Sequence, residues 1–468
     1  MSKLTAIIDH IARYRPPKPL LPKLKELRCH HTFEASSWPL ANLCIFMHEG
    51  LQQLSISVSS SEAVQSSFFN ALPFQTPNLT HFEFRYSKSG VGYEEAFLNC
   101  IRGLPKLQTI ILPTFPSAMS SVVRANELKD LNRLEVDCFG DDGKLACPVM
   151  TQHLQPGTLC ALEHLSLTVR YELAATSLQV QRDALRLKSI IICSPIVESP
   201  HDVKQLASTI ASTCRNIEKV HLTFDRKSDS ISKVDEKLSF DPFVSVTDLD
   251  PLFQCDQITD LLIRHLYSLK DLSAFDGMLN SFPNLRSLIL NPSGLQAPHT
   301  LYFNLDVLLK VARVWPNIEH IGVCCDTKLI PSDREIRTLP SPLRNLQTLD
   351  VGKTRVDKYE TQTALFLGDI LAPGCRIIWD TTSSGKRSSL NNGWHHVEKI
   401  LPHLIERAKL MRTIIGKLEA AEEKLYTSML SKSLLEQKVL TLTSELEEER
   451  AKKANSSDEL GGNMEPIF

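Results

Sequence analysis

The chain has 468 residues, of which 42% are apolar and 23% charged, and its net charge is -2. That length accommodates two or three ordinary domains or one extended repeat array. The near-balance of charge excludes a global field that would draw the chain to nucleic acid or an acidic membrane, and no apolar run nears the roughly 20 residues of a membrane span.

The start, Met1-Ser2-Lys3-Leu4-Thr5, lacks the apolar core and cleavage site of a secretory signal. The 12 cysteines are scattered with no Cys-x-x-Cys, so they read as reduced thiols and the chain as cytoplasmic or nuclear. The sequons at Asn78 and Asn455 then carry no information.

Residues 1–15 can form one helix with Leu4, Ile7, Ile8 and Ile11 on a face. From Leu24 onward one phrase recurs, written most clearly as Leu104-Pro105-Lys106-Leu107-Gln108-Thr109-Ile110-Ile111-Leu112. Its first apolar position falls at Leu24, Leu51, Leu79, Leu107, Leu131, Leu162, Leu187, Ile217, Ile258, Leu285, Ile318 and Leu346. The steps run from 24 to 33 residues, with one of 41. The residue three places on is apolar every time, from Leu27 to Leu349, and Cys375–Trp379 reads as a thirteenth strand without the full phrase. A repeat of this length with an L-x-x-L-x-L core is a leucine-rich repeat. The predicted fold class is therefore α/β: a leucine-rich-repeat solenoid with a curved parallel sheet and helices on the convex face, followed by a long C-terminal helix.

The connecting segments fit this reading. Residues 92–104, 203–213, 272–282, 305–315 and 361–371 carry apolar residues at helical spacing. Five repeats enter their strand through a proline (Pro22, Pro77, Pro105, Pro283 and Pro316), which lacks an N–H and clashes with a preceding helical turn. The period is broken at 138–158, 225–257 and 325–342, which are polar and read as exposed loops.

The expected domains are a solenoid over 1–380, a Thr/Ser/Gly/Asn-rich linker over 381–393, a long helix over 394–453 and a disordered tail over 454–468. In the helix, Leu404, Met411, Leu418 and Leu425 sit seven apart, with Leu401, Ala408 and Ile415 between them. The seam slips once and resumes at Leu435, Val439, Leu442 and Leu446. Such a stripe reads as a coiled coil with one register shift, and so as a route to self-association through 394–453. A single amphipathic helix lying back on the array is the other reading of the same stripe.

No constellation for chemistry stands out. Gly385-Lys386 resembles the end of a phosphate loop, but Asp380 replaces its first glycine and Arg387 its hydroxyl. Gly140-Asp141-Asp142-Gly143 lacks the ligand series of a calcium loop. His30-His31 and Cys324-Cys325 alternate across a strand and cannot share a metal, and His395-His396 open a helix as solvated residues. No G-x-S-x-G elbow occurs. The chain is accordingly expected to be no enzyme and to need no metal or cofactor.

The informative positions are the third, fifth and seventh of each strand, which point away from a core built on the first, fourth and sixth. They are Glu26, Arg28 and His30, then His81, Glu83 and Arg85, then Arg133, Glu135 and Asp137. Later repeats supply His164, Ser166 and Thr168, then Lys219, His221 and Thr223. Both signs alternate, which suits a protein partner of mixed charge on the concave face and not a phosphate backbone.

The opening Tyr14-Arg15-Pro16-Pro17-Lys18-Pro19-Leu20-Leu21-Pro22-Lys23-Leu24-Lys25-Glu26-Leu27, the phrase Trp315-Pro316-Asn317-Ile318, and the late Gly393-Trp394-His395-His396-Val397-Glu398-Lys399-Ile400-Leu401-Pro402 resemble the leucine-rich-repeat part of fungal F-box proteins. The resemblance spans residues 1–405. It implies a subunit that recruits a protein substrate to a Skp–cullin ubiquitin ligase, with the repeats holding the substrate. The chain departs from the pattern at its start. Leu21-Pro22 leads into a strand, and residues 1–15 are too short for an F-box, so these residues are not expected to hold the Skp adaptor.

Overall fold

The computed structural model describes residues 19–31, 40–58, 66–86, 94–112, 128–136, 161–180, 186–224, 244–265, 272–290, 303–331, 343–379 apart from 353, 355 and 357, and 392–458, with isolated positions before residue 19. It divides into two compact units, 1–402 and 403–468.

The first unit is the repeat array. Thirteen described strands lie in one parallel sheet in chain order. They are β1 (Glu26–His31), β2 (Gln53–Val58), β3 (His81–Tyr86), β4 (Thr109–Leu112), β5 (Arg133–Val136), β6 (His164–Thr168), β7 (Ser189–Ser194), β8 (Lys219–Phe224), β9 (Asp260–Arg264), β10 (Ser287–Leu290), β12 (His320–Val323), β14 (Thr348–Gly352) and β15 (Arg376–Trp379). A second, two-stranded sheet pairs β11 (Phe303–Asn304) with β13 (Cys325–Asp326).

Most strands of the long sheet begin from the same turn. The carbonyl three residues before the first apolar position accepts that position's N–H, as in Thr76 to Leu79 (3.1 Å), Phe282 to Leu285 (3.2 Å) and Trp315 to Ile318 (3.1 Å). Proline at the second place of such a turn presets φ and gives up no needed donor. The next residue's carbonyl then accepts two N–H groups from the following repeat, for example Gln52 O from Thr80 and His81 at 2.9 and 3.0 Å. This pattern recurs along the array as far as β14, so the register is carried from strand to strand by backbone alone.

The register places the fourth apolar positions in one ladder, Leu27, Leu54, Phe82, Ile110, Leu134, Leu165, Ile190, Val220, Leu261, Leu288, Ile321, Leu349 and Ile377. All are buried except Leu27. Every first apolar position after Leu24 is buried as well. Helices α1 (Ser66–Gln75), α2 (Glu94–Arg102), α3 (Tyr171–Val180), α4 (Pro200–Thr213), α5 (Leu272–Ser281), α6 (Asp306–Val314) and α7 (Glu360–Ile370) cover the other side. Helices are wider than strands, so side-by-side stacking curves the sheet with its strands on the inside. The fold is the leucine-rich-repeat solenoid.

Near the start the core is aromatic: Phe69 meets Phe68, Phe84 and Phe97 edge-on at centroid distances of 5.2–5.3 Å. The nine described cysteines are free thiols, and burial pushes those of Cys214 and Cys255 up to about 11.

Three sequence expectations are corrected. Residues 246–254, expected within an exposed loop, form a 3-10 helix (Val246–Gln254) that buries Val246, Leu249 and Leu252 between α4 and α5. It supplies a helical layer between β8 and β9. Residues 325–327, also expected in a loop, hold β13 and the buried Cys325 and Thr327. Third, the terminal helix α8 runs Asn392–Asp458, beyond the expected 394–453, and the unit boundary falls at Pro402 instead of the linker. The first turns of α8 belong to the array: Trp394, Val397 and Leu401 are buried, and Trp394 Nε1 donates to Thr354 O at 2.7 Å. The expected loop 138–158 and most of the expected linker lie outside the described residues.

Candidate protein-binding face

The sheet register turns the scattered third positions into one row. Reading across the strands it runs Glu26, Gln53, His81, Thr109, Arg133, His164, Ser189, Lys219, Asp260, Ser287, His320, Thr348 and Arg376. Neighbours in the row are about 4.8 Å apart, so long side chains on adjacent strands reach one another.

The N-terminal part of the face is held by ion pairs along single strands. Arg28 pairs with Glu26 on β1 and Arg85 with Glu83 on β3. Ser55 Oγ on β2 also donates to Glu83 Oε2 at 2.6 Å. Burial pushes the Glu83 carboxyl up, but Ser55 and Arg85 more than offset this and hold it below its ordinary value. Burial pushes the His81 imidazole down.

Over β5–β9 the face holds a depression of about 320 Å³ lined by Arg133, Glu135, His164, Ser166, Lys188, Ile191, Lys219 and Asp260 among others. On its wall Arg133 Nε donates to Glu135 Oε1 at 2.8 Å, and Lys188 Nζ donates to Glu163 Oε2 at 2.8 Å. On the opposite wall Asp260 Oδ2 lies 3.1 Å from both Lys219 Nζ and His221 Nε2. The His221 contact is off the line of a hydrogen bond. Burial pushes the Asp260 carboxyl up, yet His221 and Lys219 together hold it well below the usual carboxylate range. His164 is pushed down by burial and by the Arg133 charge.

Of the sequence-predicted residues, Arg133, Glu135, His164, Ser166 and Lys219 line this depression, and His221 stands beside it on Asp260. Glu26, Arg28, His81, Glu83 and Arg85 share the same face over β1–β3 but not the depression. Asp137 and the His30 side chain lie outside the described residues. Ser166, Thr168 and Thr223, read as outward, are buried. Ser166 forms groove floor. Thr223 gives its carbonyl to the Tyr171 hydroxyl at 3.0 Å.

Several lining residues were missed by the sequence reading: Lys188, Ser189, Ile191, Glu218 and Asp260. Ser189 and Asp260 hold the third place of their repeats, and Ile191 the fifth, so the same positional rule applied to every repeat finds these three. The fifth-position row also changes character at β7–β10, where Ile191, Leu262 and Ile289 flank His221. The groove thus offers fixed charges of both signs beside an apolar strip. Among the described residues no group of three His, Cys, Asp or Glu side chains could hold a metal ion, and no helix is long and apolar enough to cross a membrane.

No family model and no curated protein matches the chain. Among solved structures, the leucine-rich repeat-containing protein LegL7 from Legionella pneumophila is similar at 14% identity and a TM-score of 0.32, covering 80% of this chain and 97% of that one. A TM-score at that level carries no argument, so the assignment of the repeat fold rests on the strand ladder itself.

Proposed function

We propose that the chain is a non-catalytic protein-binding scaffold whose partner seats on the concave face over β5–β9. The carrying observation is the in-register row of fixed, opposite charges around the 320 Å³ depression, with Ile191 and Leu262 alongside. Mixed charge beside apolar side chains matches a protein surface segment, where electrostatic complementarity sets register and apolar contact sets affinity. The resemblance of the repeats to those of fungal F-box proteins makes recruitment of a ubiquitin-ligase substrate the setting of this binding. The test is affinity purification of the full chain beside two variants. Arg133→Glu/Lys219→Glu should lose the bound protein, whereas Glu95→Lys on α2 should keep it. Equal recovery from both variants refutes the groove, and the absence of a Skp adaptor and a cullin from every preparation refutes the ligase setting.

A second reading is favoured by a different observation. On α8, apolar side chains from Leu410 to Leu446 stand 44–71% exposed in a continuous stripe. Exposure of that extent on a helix is relieved by packing against another helix. We infer that the chain self-associates through this segment. Truncation after Lys409 should halve the mass found by light scattering.

A further inference from the structure

Resting on the reading of the concave face as a protein-binding surface, we propose that Arg264 selects the partner there, by taking an Asp or Glu carboxylate of the bound segment. Leaving histidine aside, the described cations at the third, fifth and seventh strand positions are Arg28, Arg85, Arg133, Lys219, Arg264 and Arg376. The first four each hold a carboxylate of the chain: Glu26, Glu83, Glu135 and Asp260 in turn. Arg376 is exposed to water. Arg264, the last residue of β9, is half-buried. Its Nε is shut off from solvent and meets no hydrogen-bond acceptor, and among the described residues no carboxylate pairs with it.

A guanidinium taken partly out of water with no acceptor raises the free energy of the unbound protein, and a partner that supplies the acceptor recovers it. The neighbours of Arg264 do not supply one. Asp260 shares its strand and face but lies about 13 Å back along β9, and it is already held by Lys219 and His221. Across the sheet the register sets Thr223 beside Arg264, and the Thr223 carbonyl takes the Tyr171 hydroxyl. Two residues before Arg264 on the same face is Leu262, in register with the half-buried Ile289 of β10. The end of β9 therefore offers one positive charge beside an apolar pair, within reach of a segment seated in the depression at Asp260. A single guanidinium with no second cation beside it matches the one negative charge and two oxygens of a carboxylate, whereas a phosphate dianion asks for more positive charge. The complementary segment is extended, with an acidic residue and an apolar residue two places from it. Same-face neighbours on such a chain are about 6.6 Å apart, which is the spacing of Leu262 and Arg264.

The test pans the full chain against a phage-displayed library of random linear peptides. Peptides held by wild type and lost on Arg133→Glu/Lys219→Glu are the groove binders. They should be enriched in Asp or Glu with an apolar residue two places away, and their affinity should fall about tenfold or more on Arg264→Met, the loss expected of a charged hydrogen-bonded pair. Arg264→Glu should select Lys or Arg at the acidic place instead. The thermal midpoint of unliganded Arg264→Met should hold or rise, because the variant keeps the apolar stem and removes only an unpaired charge. Groove binders without an acidic preference, or with one that survives Arg264→Glu, overturn the role of Arg264 and leave the groove standing. A midpoint lowered by several degrees makes Arg264 a structural residue and overturns that role as well. A synthetic groove binder that tightens when phosphoserine replaces its acidic residue overturns the carboxylate. A wild-type chain that holds no peptide, or a double variant that holds the same set, overturns the groove and this inference together.

Discussion

The His265 imidazole offers a stability change with a worked size. It is fully buried, stacks edge-on to Tyr171 at 5.2 Å and lies against Phe224 at 5.3 Å. The Tyr171 hydroxyl has one proton and donates it to Thr223 O at 3.0 Å, so the 2.6 Å contact with His265 Nε2 requires Nε2–H to donate to the hydroxyl. Nδ1 is then a lone pair, and it meets no hydrogen-bond partner among the described residues. Burial pushes this imidazole down to about 3. In the unfolded chain it titrates near 6.5. A depressed value means the contribution is fully present above the unfolded value and is lost as pH falls toward the folded one. Between pH 7 and pH 5 the unfolded chain gains the proton and the folded chain does not, which costs about 2 kcal/mol. The buried Glu198 carboxyl is pushed up by its burial and acts with the opposite sign, but it is common to both proteins compared. Urea unfolding followed by far-UV circular dichroism at pH 7 and pH 5 should therefore show a loss about 2 kcal/mol larger for wild type than for His265→Phe. Equal losses in the two proteins refute the assignment of a neutral, proton-refusing His265.

Three further perturbations probe the array. Leu288→Ala removes a fully buried rung of the fourth-position ladder and should cost about 2–5 kcal/mol by urea unfolding. Trp394→Ala deletes the buried indole and its 2.7 Å bond to Thr354 O, and should cost about 3–5 kcal/mol by the same measurement. It should also open the start of α8 to limited proteolysis. Gly374→Ala meets no atom within 4 Å but sits at φ +87°, so only backbone strain opposes it, and the thermal midpoint should fall by an amount equivalent to about 1 kcal/mol.

The period of the first and fourth apolar positions, together with the proline turns, determined the solenoid before any coordinates, because each repeat solves the same local problem with the same local means. The long terminal helix was legible for that reason too. What the sequence could not settle depended on neighbours far along the chain. Which outward residues gather is decided by a register between strands 24–41 residues apart, and that register made a groove of Arg133, His164, Lys219 and Asp260. Tyr171 and His265 are 94 residues apart and meet only because β6–β9 end at one level of the stack. The polar spelling of 225–257 concealed the buried side chains of Val244, Val246, Leu249, Leu252 and Cys255, since an amphipathic turn shows its apolar face only when a sheet and two helices leave it a vacancy to fill. Local chemistry repeats and can be read in order, whereas burial and charge pairing are set by what the fold brings alongside.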